Sequence, residues 1–131
     1  LKNTDKEQKE NNYDSKGFNK NITVEEMREL SKKEVKIKYS KNEFNKLQKL
    51  DNKTKIRKIE SVDSLESAKK FFLERVRPET INKMENGAIT GVGYNGETYT
   101  IRDYSKMGDQ PVTIDINGNG FSNNKIKFIK K

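Results

Sequence analysis

The sequence predicts an α+β domain in which N-terminal helices pack on a four-stranded antiparallel β-meander. Three observations lead there. Capping boxes at Thr23, Ser40 and Asp63 each precede apolar residues spaced three or four apart. After Gly87 the apolar period falls from helical to two. Two turn signals, Asn95-Gly96 and Asn117-Gly118-Asn119-Gly120, then cut the alternating stretch into strands.

Thr23-Val24-Glu25-Glu26 opens the first helix, with Val24, Met27 and Leu30 on one face, and the pattern ends near Lys33. Val35, Ile37 and Tyr39 alternate with lysines and read as an edge strand or an extended connector. Ser40-Lys41-Asn42-Glu43 opens a second helix carrying Phe44, Leu47 and Leu50. Asp63-Ser64-Leu65-Glu66 opens the most apolar helix, through Leu65, Ala68, Phe71, Phe72 and Val76, and Arg77-Pro78 breaks it. Pro78 suits the first position of a further helix through Met84, with Gly87 at its C′ position. The four strands are then 88–94, 97–104, 111–116 and 125–130.

Composition divides the chain. Residues 1–60 hold 17 basic and 11 acidic groups, and residues 61–131 hold 11 and 9. Residues 1–21 are mostly Lys, Asn, Asp, Glu and Gln and read as a solvated, disordered leader dispensable for activity. Residues 22–60 read as a helical entry region and 61–131 as the α+β functional domain. At 131 residues there is room for about one domain. A net charge of +8 points to a polyanionic partner. The absence of Cys excludes disulfides and thiolate nucleophiles, and the absence of His removes the commonest general base and metal ligand. Enzymatic chemistry here must come from Lys, Arg, Asp, Glu, Tyr, Ser and Thr. The scattered acids predict no metal site and no cofactor, and no run approaches the ~18 apolar residues of a membrane span.

Strand parity separates two faces. Tyr99, Ile101, Val112, Ile114, Ile116, Ile126 and Phe128 fall on the side expected to receive the 65–76 helix. The other side displays Thr98, Thr100, Arg102, Tyr104, Thr113, Asp115, Lys125 and Lys127. A solvated sheet face is commonly polar, so this set is equally readable as plain surface. Its mixture of cations, a carboxylate, hydroxyls and a phenol is also what phosphodiester chemistry without histidine requires.

The segments Tyr99-Thr100-Ile101-Arg102-Asp103-Tyr104-Ser105 and Pro111-Val112-Thr113-Ile114-Asp115-Ile116, following helices, resemble the toxic nuclease domains of bacterial polymorphic toxins. These form the barnase, EndoU, colicin and RelE group and stand at the C-termini of large secreted effectors, including contact-dependent growth inhibition proteins. The colicin D-like tRNase domain is the nearest in flavour, over residues 60–131. The resemblance implies a metal-independent endoribonuclease toxin that cleaves tRNA in the cytoplasm of a target bacterium through 2′-OH attack.

On that resemblance Arg102 would stabilise the transition-state phosphate. Thr100, Ser105 and Thr113 would hydrogen-bond phosphate or ribose, Tyr104 would stack or donate a proton, and Asp115 would orient Arg102 or act as base. Arg75, Arg77, Lys106 and Lys127 would hold the RNA backbone. For Arg75 and Arg77 a solvated helix end whose charges favour the dipole is an equal reading. The implied partners are tRNA and a cognate, acidic immunity protein, with room for a translation elongation factor. The rival reading is a basic, non-enzymatic nucleic-acid-binding module.

Overall fold

The computed structural model describes residues 18–103 and 111–131. Four helices, α1 (Phe18–Asn21), α2 (Val24–Lys32), α3 (Lys41–Asn45) and α4 (Ser64–Arg75), accompany seven strands. The strands are β1 (Gln48–Leu50), β2 (Lys53–Ser61), β3 (Asn82–Lys83), β4 (Ile89–Val92), β5 (Thr98–Arg102), β6 (Val112–Gly118) and β7 (Phe121–Lys130). They form one mixed sheet in the order β1-β2-β7-β6-β5-β4-β3. Every neighbouring pair is antiparallel except β2 and β7, which run parallel.

This corrects the expected helices on a four-stranded meander. The strands β4 to β7 do follow one another in space, but β2 and β1 extend the sheet beyond β7. Residues 53–60, expected within the helical entry region, belong instead to the strand β2 (Lys53–Ser61). They form a strand because both edges find partners: β1 on one side and, in register from Ile56↔Lys125 to Ser61↔Lys130, β7 on the other. Met27, Tyr39 and Phe44 share one core with Phe72, Tyr99, Ile114 and Phe128, so residues 22–60 are not an entry region apart from 61–131.

Helices α2 and α4 begin where their caps predict. The Thr23 hydroxyl accepts from the Glu26 amide while Glu26 accepts from the Thr23 amide, and Asp63 accepts from the Glu66 amide. The helix expected through Leu50 stops after one turn, at Asn45. Buried Arg57, reaching from β2, donates to the carbonyls of Asn45 and Leu47 at 2.8 and 2.7 Å and stacks over Phe44, so a side chain caps the α3 terminus. The Pro78 helix shrinks to a 3-10 turn over Pro78–Thr80. Gly87, at φ +94°, turns β3 into β4 and is not a helix C′ residue.

The sheet's apolar face is the one that parity assigns. Tyr99, Ile101, Val112, Ile114, Ile116, Ile126 and Phe128 are all buried beneath α4, which lies across β2, β5, β6 and β7. An aromatic seam ties the N-terminal elements to that core: Phe44 meets Phe121 edge-on, Phe121 stacks on Tyr39, and Tyr39 meets Phe71 edge-on.

The leader also ends earlier than its composition suggests. Residues 18–21 are helical, and Asn19 is buried at 2% exposure. Its Nδ2 donates to the Gly87 and Ile101 carbonyls, both at 2.9 Å, and its Oδ1 accepts from the Asp103 amide. Asp103 in turn accepts from the Phe18 amide at 2.8 Å. A side chain that completes three backbone groups at the end of β5 belongs to the fold. Residues 1–17 of the expected leader 1–21 lie outside the described residues.

Candidate nucleic-acid interface

The face opposite α4 is ordered by the strand registers into two cross-strand rows. Opposed residues on adjacent strands share a face, so Gln48↔Lys58, Lys58↔Lys127, Lys127↔Thr113 and Thr113↔Arg102 make one row over β1, β2, β7, β6 and β5. Ile56, Lys125, Asp115, Thr100 and Thr90 make the next, over β2, β7, β6, β5 and β4.

Asp115 is the hub of the polar set. Arg102 Nε donates to its Oδ2 at 2.9 Å, and Lys125 Nζ donates to its Oδ1 at 2.6 Å. Arg102 Nη2 approaches the same Oδ1 at 3.5 Å, so the guanidinium meets the carboxylate side-on. Burial alone would raise the Asp115 pKa, but the hydrogen bonds and charges of Lys125 and Arg102 outweigh it and hold the carboxyl below its ordinary value. Lys127 Nζ donates to Thr113 Oγ1 at 3.3 Å. Its pKa is pushed down, first by burial and then by Arg102 and Lys125, against the opposing pull of Asp115. Among the described residues, Arg102, Lys125 and Lys127 surround one carboxylate on a partly buried surface, a local balance that favours an anion.

The predicted residues do not all share this place. Arg102, Thr100, Asp115 and Lys127 come together on the face. Thr113 is on it too but only 1% exposed, and its hydroxyl serves the Pro111 carbonyl and Lys127. It therefore acts through Lys127 rather than directly on phosphate. Tyr104, Ser105 and Lys106 lie outside the described residues. Arg75 packs on the α4 side of the sheet, and Arg77 lies by the β4–β5 hairpin, where its amide donates to the Val92 carbonyl. Arg75 sits 3.7 Å over the Phe71 ring and 4.9 Å from Tyr39, and bonds the Phe71 carbonyl. Arg77 stacks over Tyr94 at 5.2 Å. Neither can reach a phosphate held at Arg102.

Lys58 is the residue that sequence reasoning missed. It faces the same way as Lys127 only because β2 pairs with β7, and it forms an ion pair with Glu60 at 3.3 Å. Its one local signal is the run Thr54, Ile56 and Ile59, β-formers with no Gly or Pro between them.

A second polar cluster lies under the helix side. Glu97 is fully buried, and Tyr99, also buried, donates to it at 2.5 Å. Burial, then the bond to Glu97, push the Tyr99 phenol far above its ordinary pKa. Tyr39 is pushed up to about 12, chiefly by burial. These groups have no solvent access and hold the hairpin between β4 and β5 in place. Gly93 packs so tightly there that a Cβ would stand 2.5 Å from Glu97 Oε2.

Among the described residues no three acidic side chains converge as a metal site would require, and no helix is long and apolar enough to cross a membrane. Searches for similarity found no matching family model, curated protein or solved structure.

Proposed function

We propose that this chain is an antibacterial toxin domain that acts as a metal-independent endoribonuclease, with the Arg102–Asp115–Lys125–Lys127 face as its active surface and tRNA as its substrate. The observation that carries the reading is the group of cations around Asp115 on β6: the Arg102 guanidinium on β5 and the Lys125 ammonium on β7, both bonded to that carboxylate, with the Lys127 ammonium beside them on Thr113. The four-stranded topology contributes nothing to it, since the sheet has seven strands. The toxin identity, delivery as part of a large secreted effector, action in the cytoplasm of a target bacterium and the acidic immunity partner rest on the sequence resemblance.

RNA brings its own nucleophile, so the protein has to align the 2′-OH, remove its proton, stabilise the pentavalent phosphorane and protonate the 5′-oxygen. Arg102 commits Nε and one edge of Nη2 to Asp115, which leaves Nη1 and the outer Nη2 hydrogen for a phosphate oxygen. Asp115, held ionised by two cations, is a poor proton acceptor and positions Arg102. Lys127, whose ammonium is destabilised first by burial and then by Arg102 and Lys125, gives up its proton more readily than an ordinary lysine and is the group of this face assigned to proton transfer. Thr100, directly opposite Asp115 in register, offers a hydroxyl to phosphate or ribose.

The commitment of Asp115 to two cations, which makes it a poor base, favours as second reading a binding module without turnover. One experiment separates the two. The chain is incubated with total tRNA in EDTA, and the products are resolved and their ends identified. Discrete fragments ending in 2′,3′-cyclic phosphate are expected. Tight binding with intact RNA supports the module, and Mg²⁺-dependent cutting that leaves 5′-phosphates points to metal-assisted hydrolysis at another place.

A further inference from the structure

The row that runs from Arg102 to β1 extends well past the residues the reaction needs. In order it holds Arg102, Thr113, Lys127, Lys58 and Gln48, one from each of five adjacent strands. At the usual strand spacing of about 4.8 Å, four intervals make a track roughly 19 Å long. That exceeds one nucleotide step: at the roughly 3.4 Å rise of a stacked strand it covers five or six.

Resting on the reading above, we propose that the substrate is bound as a single strand laid across the sheet, perpendicular to the β-strands, with the reacting phosphate at Arg102 and the flanking phosphates running over Lys127 to Lys58 and Gln48. Three features favour a single strand over a duplex. Arg102, Lys127 and Lys58 follow one row across the sheet, with Lys125 alone in the row beside it. Polar groups that can bond phosphate or sugar lie beside the charges: Gln48 next to Lys58 in the row, and Thr100 next to Arg102 on the same face of β5. Among the described residues, the acidic groups on this face are Asp115 and Glu60, and each is engaged by a lysine of the same face. The Lys58–Glu60 pair is half-exposed on its carboxylate side, and such a pair exchanges readily for a phosphate. β2 is thereby assigned to the substrate surface.

The test uses the full chain and uncleavable 2′-O-methyl RNA of two, four, six, eight and twelve nucleotides, with affinity read by fluorescence anisotropy at several salt concentrations. Wild-type affinity should rise with length up to about six nucleotides and then level. Lys58→Ala should abolish most of the gain beyond four nucleotides. For the twelve-mer it should lower the slope of log K against log salt by ~0.7, the value for one lost contact to a single strand. Lys32→Ala, on exposed α2, should change neither, and circular dichroism should show each variant folded. Affinity independent of length, a slope unchanged by Lys58→Ala, or tighter binding of a duplex of equal length would overturn the track. If the twelve-mer binds with sensitivity to Arg102→Ala but not to Lys58→Ala, the path alone fails. If no RNA binds at all, the functional reading fails with it.

Discussion

Arg102 on β5 and Asp115 on β6 are diagonal, not opposed: the register pairs Arg102 with Thr113 and Asp115 with Thr100, yet the guanidinium reaches across to bond the carboxylate at 2.9 Å. The diagonal turns the guanidinium along the sheet surface and brings it toward Lys125, which bonds the other carboxylate oxygen. One acid thus positions two cations, and each consequence can be measured.

Arg102→Ala removes a surface cation and no core volume, and Asp115 keeps its bond to Lys125. Stability should change by well under the ~2–5 kcal/mol of a core truncation, whereas single-turnover cleavage of tRNA should fall ~100-fold or more. Arg102→Lys should restore only part of the rate, because an ammonium cannot meet Asp115 and a phosphate with one planar fork. Cleavage near wild type, or loss in step with melting temperature, would remove Arg102 from the chemistry.

Asp115 makes a pH prediction. Its folded pKa is depressed, so its contribution to stability is fully present above the unfolded value, ~3.9, and is lost as the pH falls through the folded value. Melting temperature followed from pH 6 down to 2.5 should therefore show a loss in the acid range that Asp115→Asn diminishes. The variant should also be less stable at pH 6, where three cations would face one another without the carboxylate. Identical acid limbs for the two proteins would show that the ion pairs contribute nothing to folding.

Asn19 tests where the ordered domain begins. Asn19→Ala strands two buried carbonyls and one amide, each of which costs about 1–3 kcal/mol when unsatisfied. Denaturant titration should find it markedly destabilised, and a chain starting at Asn21 should be at least as unstable. A chain starting at Gly17 should match the full-length protein. Equal midpoints for the chains starting at Gly17 and Asn21 would return Asn19 to the leader.

Gly93→Ala places a Cβ 2.5 Å from the Glu97 carboxylate and 2.9 Å from the Tyr99 ring, both buried. Overpacking of this kind costs about 1–3 kcal/mol. Tyr99→Phe keeps the volume but leaves a Glu97 oxygen without its donor, at a similar cost. Gly96→Ala meets no neighbouring atom but is strained by its φ of +89°, so its loss should come from backbone conformation alone. Thermal melts of the three variants separate these causes, and a Gly93→Ala protein as stable as wild type would contradict the close packing.

What could be read from the chain was local. A cap and its third following residue are neighbours in any conformation that starts a helix, so α2 and α4 begin where Thr23 and Asp63 put them. Gly96 and the Gly118–Gly120 turn take the positive φ that their residue types permit. The period of two sorts side chains by face whatever the neighbouring strand is, which is why both the core residues and the group Arg102, Thr100, Asp115 and Lys127 were legible. Beyond Pro78 the local signals favour a helix through Met84, but pairing of Asn82 and Lys83 with β4 prevails over them.

The sequence by itself determined the capped helices, the hairpin turns and the two faces of the strands from Thr98 onward, because each follows from interactions within a few residues. Only the tertiary structure decided that residues 53–61 are a strand, that it lies parallel to β7, and that Lys58 joins the cationic row. It also decided that Arg57 ends α3, that Asn19 closes β5, and that Arg75 packs over Phe71 and Tyr39 while Arg77 stacks on Tyr94. These outcomes depend on hydrogen-bonding edges and burial supplied by segments far along the chain, and no local pattern of side chains encodes them.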